Sequence, residues 1–314
     1  MSRFTDYRAV VRSGPTAVAI GNFDGVHVGH RALLARVVAQ CPARIPAVLT
    51  FSPHPVRLLA PHVEMPMVCS LDDRLTLLEA AGARLVLAQL FDREFSSLTA
   101  DEFIERVLVD SLGVEHLVVG YDFEFGHGRA GDRETLRRAA NALGFTLEVV
   151  GAQTAGDAVV ASSSRVRQAV IAGQMSAAAN ILGRCFHVNG RVIRGEQRGR
   201  TIGFPTANVE TRNELLPAFG VYSGWLDYGE GAVPAVINLG QKPTFVTDGA
   251  LTLEAHVLDA EALQLYGLEC RVFFRRHLRD ELAFSGVEAL RAQIALDADR
   301  AREDTRAAQA PTFP

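Results

Sequence analysis

The chain has 314 residues, with 32 Lys and Arg against 36 Asp and Glu, a formal charge of -4 and 48% hydrophobic residues. All but one of the basic side chains are arginine: Lys242 is the single lysine, and Pro243 follows it. That excludes a G-x-x-x-x-G-K-[ST] phosphate loop and leaves Schiff-base chemistry to Lys242 alone, so bound phosphate must be met by arginine, histidine, backbone amides or a metal.

Taken in chain order, the first half alternates strand and helix patterns. Residues 16–21 (TAVAIG) read as a short buried strand ending in glycine, and 30–39 carry Leu33, Leu34, Val37 and Val38 at helical spacing. Further strands are predicted at 45–51, 85–90, 116–120 and 145–150, with helices at 72–81, 100–112 and 132–143. Strands separated by helices predict βαβ units and a parallel sheet. Ligands of such sheets sit at the carboxyl ends of strands, so the loops after Gly21, Phe51 and Gly120 are where a site is expected. Beyond 181–186 the pattern changes to short β-like runs at 185–193, 220–226, 233–239, 251–258 and 270–274, punctuated by glycine and proline. These predict a small antiparallel barrel or sandwich. One helix follows, with Val287, Leu290, Ile294 and Ala298 on one face, and the tail at 307–314 is expected to fray.

The length fits two domains. A sequence pI near 6.2 argues against a nucleic-acid partner. Cys41, Cys69, Cys185 and Cys270 lie far apart, with no C-x-x-C pair and no secreted disulfide pattern. The first residues, MSRFTDYRAV, lack the apolar stretch of a signal peptide, and no apolar run is long enough for a bilayer. The expectation is a cytoplasmic protein with no membrane partner; its oligomeric state is not legible.

The densest chemical signal is GNFDGVHVGH at 21–30, between the first predicted strand and the first predicted helix. Gly21, Gly25 and Gly29 let backbone approach a ligand closely. The helix N-terminus offers free amide donors and the positive end of a dipole to a phosphate. His27 and His30 stand at the same mouth, where imidazoles can stabilise developing charge. The competing readings are a tight turn with two surface histidines, or part of a zinc site whose third ligand has no candidate. The stretch resembles the H-x-G-H signature of the nucleotidyltransferase superfamily, and its GNFDGVH-x-GH form resembles bifunctional riboflavin kinase/FAD synthetases. The resemblance continues with TFSPHP at 50–55, GYDFEFG at 120–126, SSSRVR at 162–167, GRTIGFPTAN at 199–208, GVY at 220–222, KPTF at 242–245 and LEAHVLD at 253–259. Ser164 stands where the family usually has threonine, and Ala260 follows Asp259 where an aromatic is common. Lys242 stands where arginine is frequent and is given no catalytic role.

The resemblance implies a Rossmann-like FMN adenylyltransferase domain at 1–182 and an antiparallel β-barrel riboflavin kinase domain with a terminal helix at 183–314. In the first, His27 and His30 would stabilise the α-phosphorus of ATP as the phosphate of FMN attacks it. Gly21, Asn22, Phe23, Asp24, Gly25 and Gly29 would line that cradle, with Ser162, Ser163, Ser164 and Arg165 holding the triphosphate. On the residues alone, the three serines read as a helix N-cap. Asp122, Phe123, Phe125 and Gly126 would form the flavin end, although the two rings read equally as core. His54, between two prolines, is either a substrate contact or part of a rigid loop. In the second domain, Gly199, Gly203, Phe204 and Pro205 would shape the nucleotide site. Thr206 and Asn208 would hold magnesium with ATP, since magnesium prefers oxygen ligands and keeps phosphates in its shell. Glu254 would take the proton of the ribityl 5′-hydroxyl; its bland alternative is a salt bridge to an arginine. Arg279 and Phe284 would contact flavin. The implied ligands are riboflavin, FMN, FAD, ATP and magnesium. Two other functions remain open to the sequence: an adenylyltransferase for a different phosphorylated metabolite, and a flavin sensor without catalysis.

Overall fold

Continuous apolar runs such as TAVAI, buried at every position, become strands covered on both faces. A computed structural model describes residues 1–156, 159–195, 199, 202–241, 251–259 and 264–314. The KPTF segment and Ala260 therefore lie outside the described residues. Packing divides the chain into one unit of residues 1–66 and 70–162 with 314, and a second of residues 67–69 and 163–313.

The first unit runs β1 (Ser2–Phe4), β2 (Thr16–Ile20), α1 (Val28–Val38), β3 (Ile45–Ser52), α2 (Pro55–Leu59), α3 (Leu71–Ala80), β4 (Leu85–Leu90), α4 (Arg93–Ser96) and α5 (Ala100–Glu102). Helix α5 continues into wide π-type turns over Phe103–Ser111, then β5 (Val114–Gly120), α6 (Arg133–Leu143), β6 (Thr146–Val150) and a hairpin of β7 (Thr154–Ala155) with β8 (Val159–Val160). The main sheet has the order β1-β4-β3-β2-β5-β6, parallel throughout. From β2 the chain builds outward through β3 and β4, then returns to the other side of β2 with β5. That reversal is a topological switch point, and a crevice opens outside the carboxyl ends of the two strands that flank it. The loops after β2 and β5, two of the three singled out above, flank it. Edge strand β1 was not expected; three residues are too short to show a period.

His116 on β5 is a buried histidine away from either candidate site. Its Nδ1 lies 2.7 Å from Thr146 Oγ1 and its Nε2 3.5 Å from the Glu148 carboxylate. Burial lowers its pKa from 6.5, and the raising effect of Glu148 does not offset this. The unfolded chain therefore binds more protons between 6.5 and the lowered folded value. This contribution to stability is complete above that window and lost as pH falls through it. The thermal midpoint should drop between about pH 7.5 and about pH 5, and His116→Gln should reduce the drop, as read by calorimetry.

The second unit holds α7 (Ser163–Ile171), α8 (Met175–Leu182), β9 (Phe186–Ile193), β10 (Ala207–Thr211), β11 (Gly220–Asp227), β12 (Ala232–Gln241), β13 (Leu251–Val257), β14 (Glu269–Arg279) and α9 (Val287–Arg306). Six strands close a barrel in the order β10-β13-β12-β11-β14-β9, deciding between barrel and sandwich. Trp225, Tyr222, Phe186, Phe273 and Phe274 are fully buried in this unit. Burial pushes the Cys270 thiol up to about 12, and all four cysteines are free.

Helix α9 packs Ala298 and Ala301 on Val221, Val236 and Leu258. Asp304 fixes it: Ser223 Oγ donates to its carboxylate at 2.9 Å, Arg276 pairs with it at 3.2 Å, and Arg275 donates to its carbonyl at 2.8 Å. Of the expected apolar face, Ala298 is buried and Leu290 and Ile294 line a cavity against the barrel, whereas Val287 is 56% exposed; Asp297, Ala301 and Thr305 complete the buried stripe. The tail does not fray as expected. The Phe313 ring lies edge-on to His187 at 4.8 Å and under the Arg271 guanidinium at 4.1 Å.

Candidate active sites

In the first unit the loop after β2 turns by left-handed backbone at Phe23 (φ 51°), Gly25 (φ 84°) and Val26 (φ 40°). Such strain in non-glycine residues persists where surroundings over-determine it, and it concentrates at functional sites. Here Phe23, Asp24 and Val26 are buried, and Thr50 Oγ1 donates to the Asn22 carbonyl at 3.0 Å. His27 caps α1: its Nδ1 accepts the His30 amide at 3.3 Å, which assigns the ring proton to Nε2. The His27 and His30 rings stack at 3.6 Å and 17°, and Phe23 backs His30 at 5.0 Å. Gly29 packs closely under this platform: a Cβ there would come within 3.1 Å of the His27 ring and press on it. Asn22 Oδ1 is buried and has no hydrogen-bond partner among the described residues. An acceptor left so costs about 1–3 kcal/mol unless a ligand donates to it. Helix mouth, imidazoles and orphaned acceptor together suit an anionic ligand carrying hydroxyls.

After β5, Gly126 takes φ 74° against the Ala100 backbone, where a Cβ would come within 2.9 Å. Asp122 is exposed and Phe123 half-buried. Phe125 is turned into the core: its ring is 5.3 Å from Phe103 and stacks on Phe123 at 5.6 Å, with Gly131 against it. His54 caps the short α2, Nδ1 accepting from the Val56 amide at 3.2 Å. Ser162 precedes α7, and Ser163, Ser164 and Arg165 form its first turn, Ser164 and Arg165 exposed. By packing, α7 belongs to the second unit.

In the second unit a cavity of about 350 Å³ lies between α9 and the barrel wall. Its floor is set by register. Asn208 on β10 pairs with Glu254 on β13, Glu254 with Asn238 on β12, Asn238 with Val221 on β11, and Val221 with Arg279 on β14. Residues directly opposite on antiparallel strands share a face and sit about 4.5–5.5 Å apart at Cβ. One transverse row therefore carries Asn208, Glu254, Asn238, Val221 and Arg279 across five strands. Strand β10, which closes the row, was not expected.

The turn before β10 is tight. The Gly199 carbonyl accepts from the Phe204 amide at 2.8 Å, and a Cβ on Gly199 would strike the Phe204 carbonyl and come within 3.3 Å of Thr206 Oγ1. Gly203 has φ 86°. A Cβ on Gly195 would overlap the Asn208 amide. Thr206 and Asn208 thus offer a hydroxyl and an amide oxygen over a cradle kept open by two glycines. Hard oxygen donors of this kind fit magnesium held jointly with phosphates. His256, two residues beyond Glu254, ties this turn to β13: its Nδ1 lies 2.8 Å from the Pro205 carbonyl, so it carries the proton and donates. The sequence reading missed His256 and Asn238; the period-two spacing from Glu254 was the signal available for the first.

Arg279 lines the cavity and pairs with the buried Asp297 of α9 at 2.8 Å, with Phe284 5.8 Å from its guanidinium. It therefore holds the helix that walls the cavity. Asp297→Ala would leave Arg279 uncompensated, a loss of about 3–5 kcal/mol for a buried pair. The expected result is a lower denaturation midpoint for this unit, read by denaturant titration.

The FAD synthetase family model matches residues 11–164 and the riboflavin kinase model residues 182–305. The bifunctional riboflavin kinase/FMN adenylyltransferase of Escherichia coli K12 is 42% identical over 290 residues, covering 91% of either chain. That of Pseudomonas fluorescens is 40% identical over 286 residues, covering 90% of this chain and 91% of its own. A solved Streptococcus pneumoniae structure, described as a macrolide-efflux protein, superposes with TM-score 0.88 at 26% identity over 96% of this chain and 98% of its own. Among the described residues no helix is long and apolar enough to cross a membrane. With both halves matched in the same order as in these relatives, the chain belongs to the bifunctional riboflavin kinase/FMN adenylyltransferase family.

Proposed function

We propose that residues 183–314 phosphorylate riboflavin to FMN with ATP, and that residues 1–182 then join FMN to AMP from a second ATP, giving FAD and pyrophosphate. The observation that carries this reading is that Glu254, which lines the cavity with Thr206, is the cross-strand partner of Asn208. Glu254 accepts the proton of the ribityl 5′-hydroxyl as its oxygen attacks the γ-phosphorus of ATP, the bond to the β,γ-bridging oxygen breaks, and ADP leaves. Thr206 and Asn208 are the residues that would hold magnesium, which when bound neutralises charge on the phosphates. Gly199, Gly203, Phe204 and Pro205 keep the turn close to the nucleotide, while Phe284 and the α9 side chains meet the flavin ring. Arg279 secures that wall.

In the other half a phosphate oxygen of FMN attacks the α-phosphorus, the bond to the bridging oxygen breaks, and pyrophosphate leaves. His27 Nε2–H, the His30 ring and the α1 amides stabilise the charge that develops. Asn22 accepts from a ligand hydroxyl, and Phe23 and Asp24 hold the loop from beneath. Ser162, Ser163, Ser164 and Arg165 bind the triphosphate. Asp122, Phe123 and Gly126 meet the flavin, with Phe125 supporting Phe123 and His54 at the substrate loop. Four free thiols fit a reducing compartment, and the proposed location is the cytoplasm.

Purified protein given riboflavin, ATP and magnesium should yield FMN and then FAD by chromatography, and chelation of the metal should stop phosphorylation. Absence of any flavin conversion would overturn the reading.

A further inference from the structure

We propose that Asn238 is a substrate-contact and specificity-determining residue of the kinase site, binding a side-chain hydroxyl of the flavin alcohol. This rests on the kinase reading above and deepens it. Glu254 has two cross-strand neighbours, Asn208 on one side and Asn238 on the other. The nucleotide side is fixed by Asn208, Thr206 and the glycine turn. In phosphoryl transfer the attacking and leaving oxygens lie roughly in line through phosphorus. An alcohol whose terminal oxygen meets Glu254 therefore extends away from Asn208, along the row towards Asn238. Adjacent strands are about 4.8 Å apart, about the span from a terminal hydroxyl to the next or next-but-one hydroxyl of a polyol.

The surroundings change character at the same place. Beyond Asn238 the row continues into Val221 and then Arg279, which pairs with Asp297, and the same cavity is lined by Phe284, Leu290 and Ile294. A cavity with polar groups at Glu254 and Asn238, apolar side chains for a ring to pack on and its one arginine in the row neutralised by Asp297 suits a polyol chain attached to an aromatic ring. The Asn238 side chain makes no hydrogen bond among the described residues, Glu254 included. A half-buried amide in that condition is satisfied by a ligand or by water, and its donors and acceptor fit hydroxyls better than phosphate.

The test compares riboflavin with a flavin analogue whose side chain keeps only the terminal hydroxyl. Wild type should prefer riboflavin in kcat/KM. The near-isosteric Asn238→Leu should lose roughly tenfold to a hundredfold on riboflavin and little on the analogue, so that the preference collapses, because a site built to bind a hydroxyl discriminates through that group. The KM for ATP should stay within about twofold, since uniform nucleotide binding is untouched. A near-normal KM for ATP in the phosphorylation reaction and an unchanged denaturation midpoint of the barrel unit report that this unit is folded; if Asn238→Leu fails to fold, Asn238→Ser carries the same comparison. Equal losses on both substrates, a loss carried by KM for ATP, or an unchanged preference would overturn the inference. A wild-type protein that makes no FMN at all would instead refute the kinase reading.

Discussion

Replacing Glu254 by glutamine is expected to lower FMN formation from riboflavin by about 10²–10⁴-fold, the usual contribution of a positioned general base. FAD formation from supplied FMN should be unchanged. Glutamine matches glutamate in shape and leaves the pairing with Asn208 and Asn238 intact, yet it cannot accept the hydroxyl proton. At 1.36 kcal/mol per decade the loss corresponds to about 3–5 kcal/mol of barrier. Chromatography of flavins from the two starting substrates separates the reactions. A fall of less than tenfold would remove Glu254 from the role of base.

Substitution of the imidazoles should produce the mirror image. His30→Ala is expected to depress FAD formation by about 10²–10³-fold, as loss of one preorganised donor does elsewhere, while riboflavin is still converted and FMN accumulates. His27 has a second duty as the cap of α1, so His27→Ala should also lower stability by about 1 kcal/mol. Asparagine retains a capping oxygen but has no Nε2–H. His27→Asn should therefore keep the melting midpoint and lose the reaction. If His30→Ala also abolished phosphorylation in a folded protein, the assignment of one reaction to each half would fail.

The parallel sheet was legible because TAVAI and IPAVLTF are apolar but for one threonine each, a pattern that suits a strand covered on both faces or a buried helix, and their shortness favours the strand. The loop at 21–30 was legible because its glycines and histidines sit together in the chain. Strand β10 was not, since its alternation shows only Ala207 and Val209 as buried positions. Asn238 reads as an unremarkable polar position within a strand, and its significance comes from Glu254 on the next strand, through a pairing no local pattern encodes. Arg279 is similar: its partner Asp297 lies on a helix after an intervening loop, so its second duty of holding the cavity wall was not legible. Phe313 escaped notice because a terminal aromatic carries no periodicity.

The position of α9 at the far end of the chain also orders events during synthesis. Ribosomes deliver residues from the N-terminus, and domains tend to fold as they emerge. The loop that positions His27 and His30 is complete once the strands through Val150 are available. The kinase cavity gains its wall only when Leu290, Ile294 and Asp297 have been added, and its anchor only with Asp304. A chain stalled or nicked before α9 would retain the means to consume FMN while lacking the means to make it.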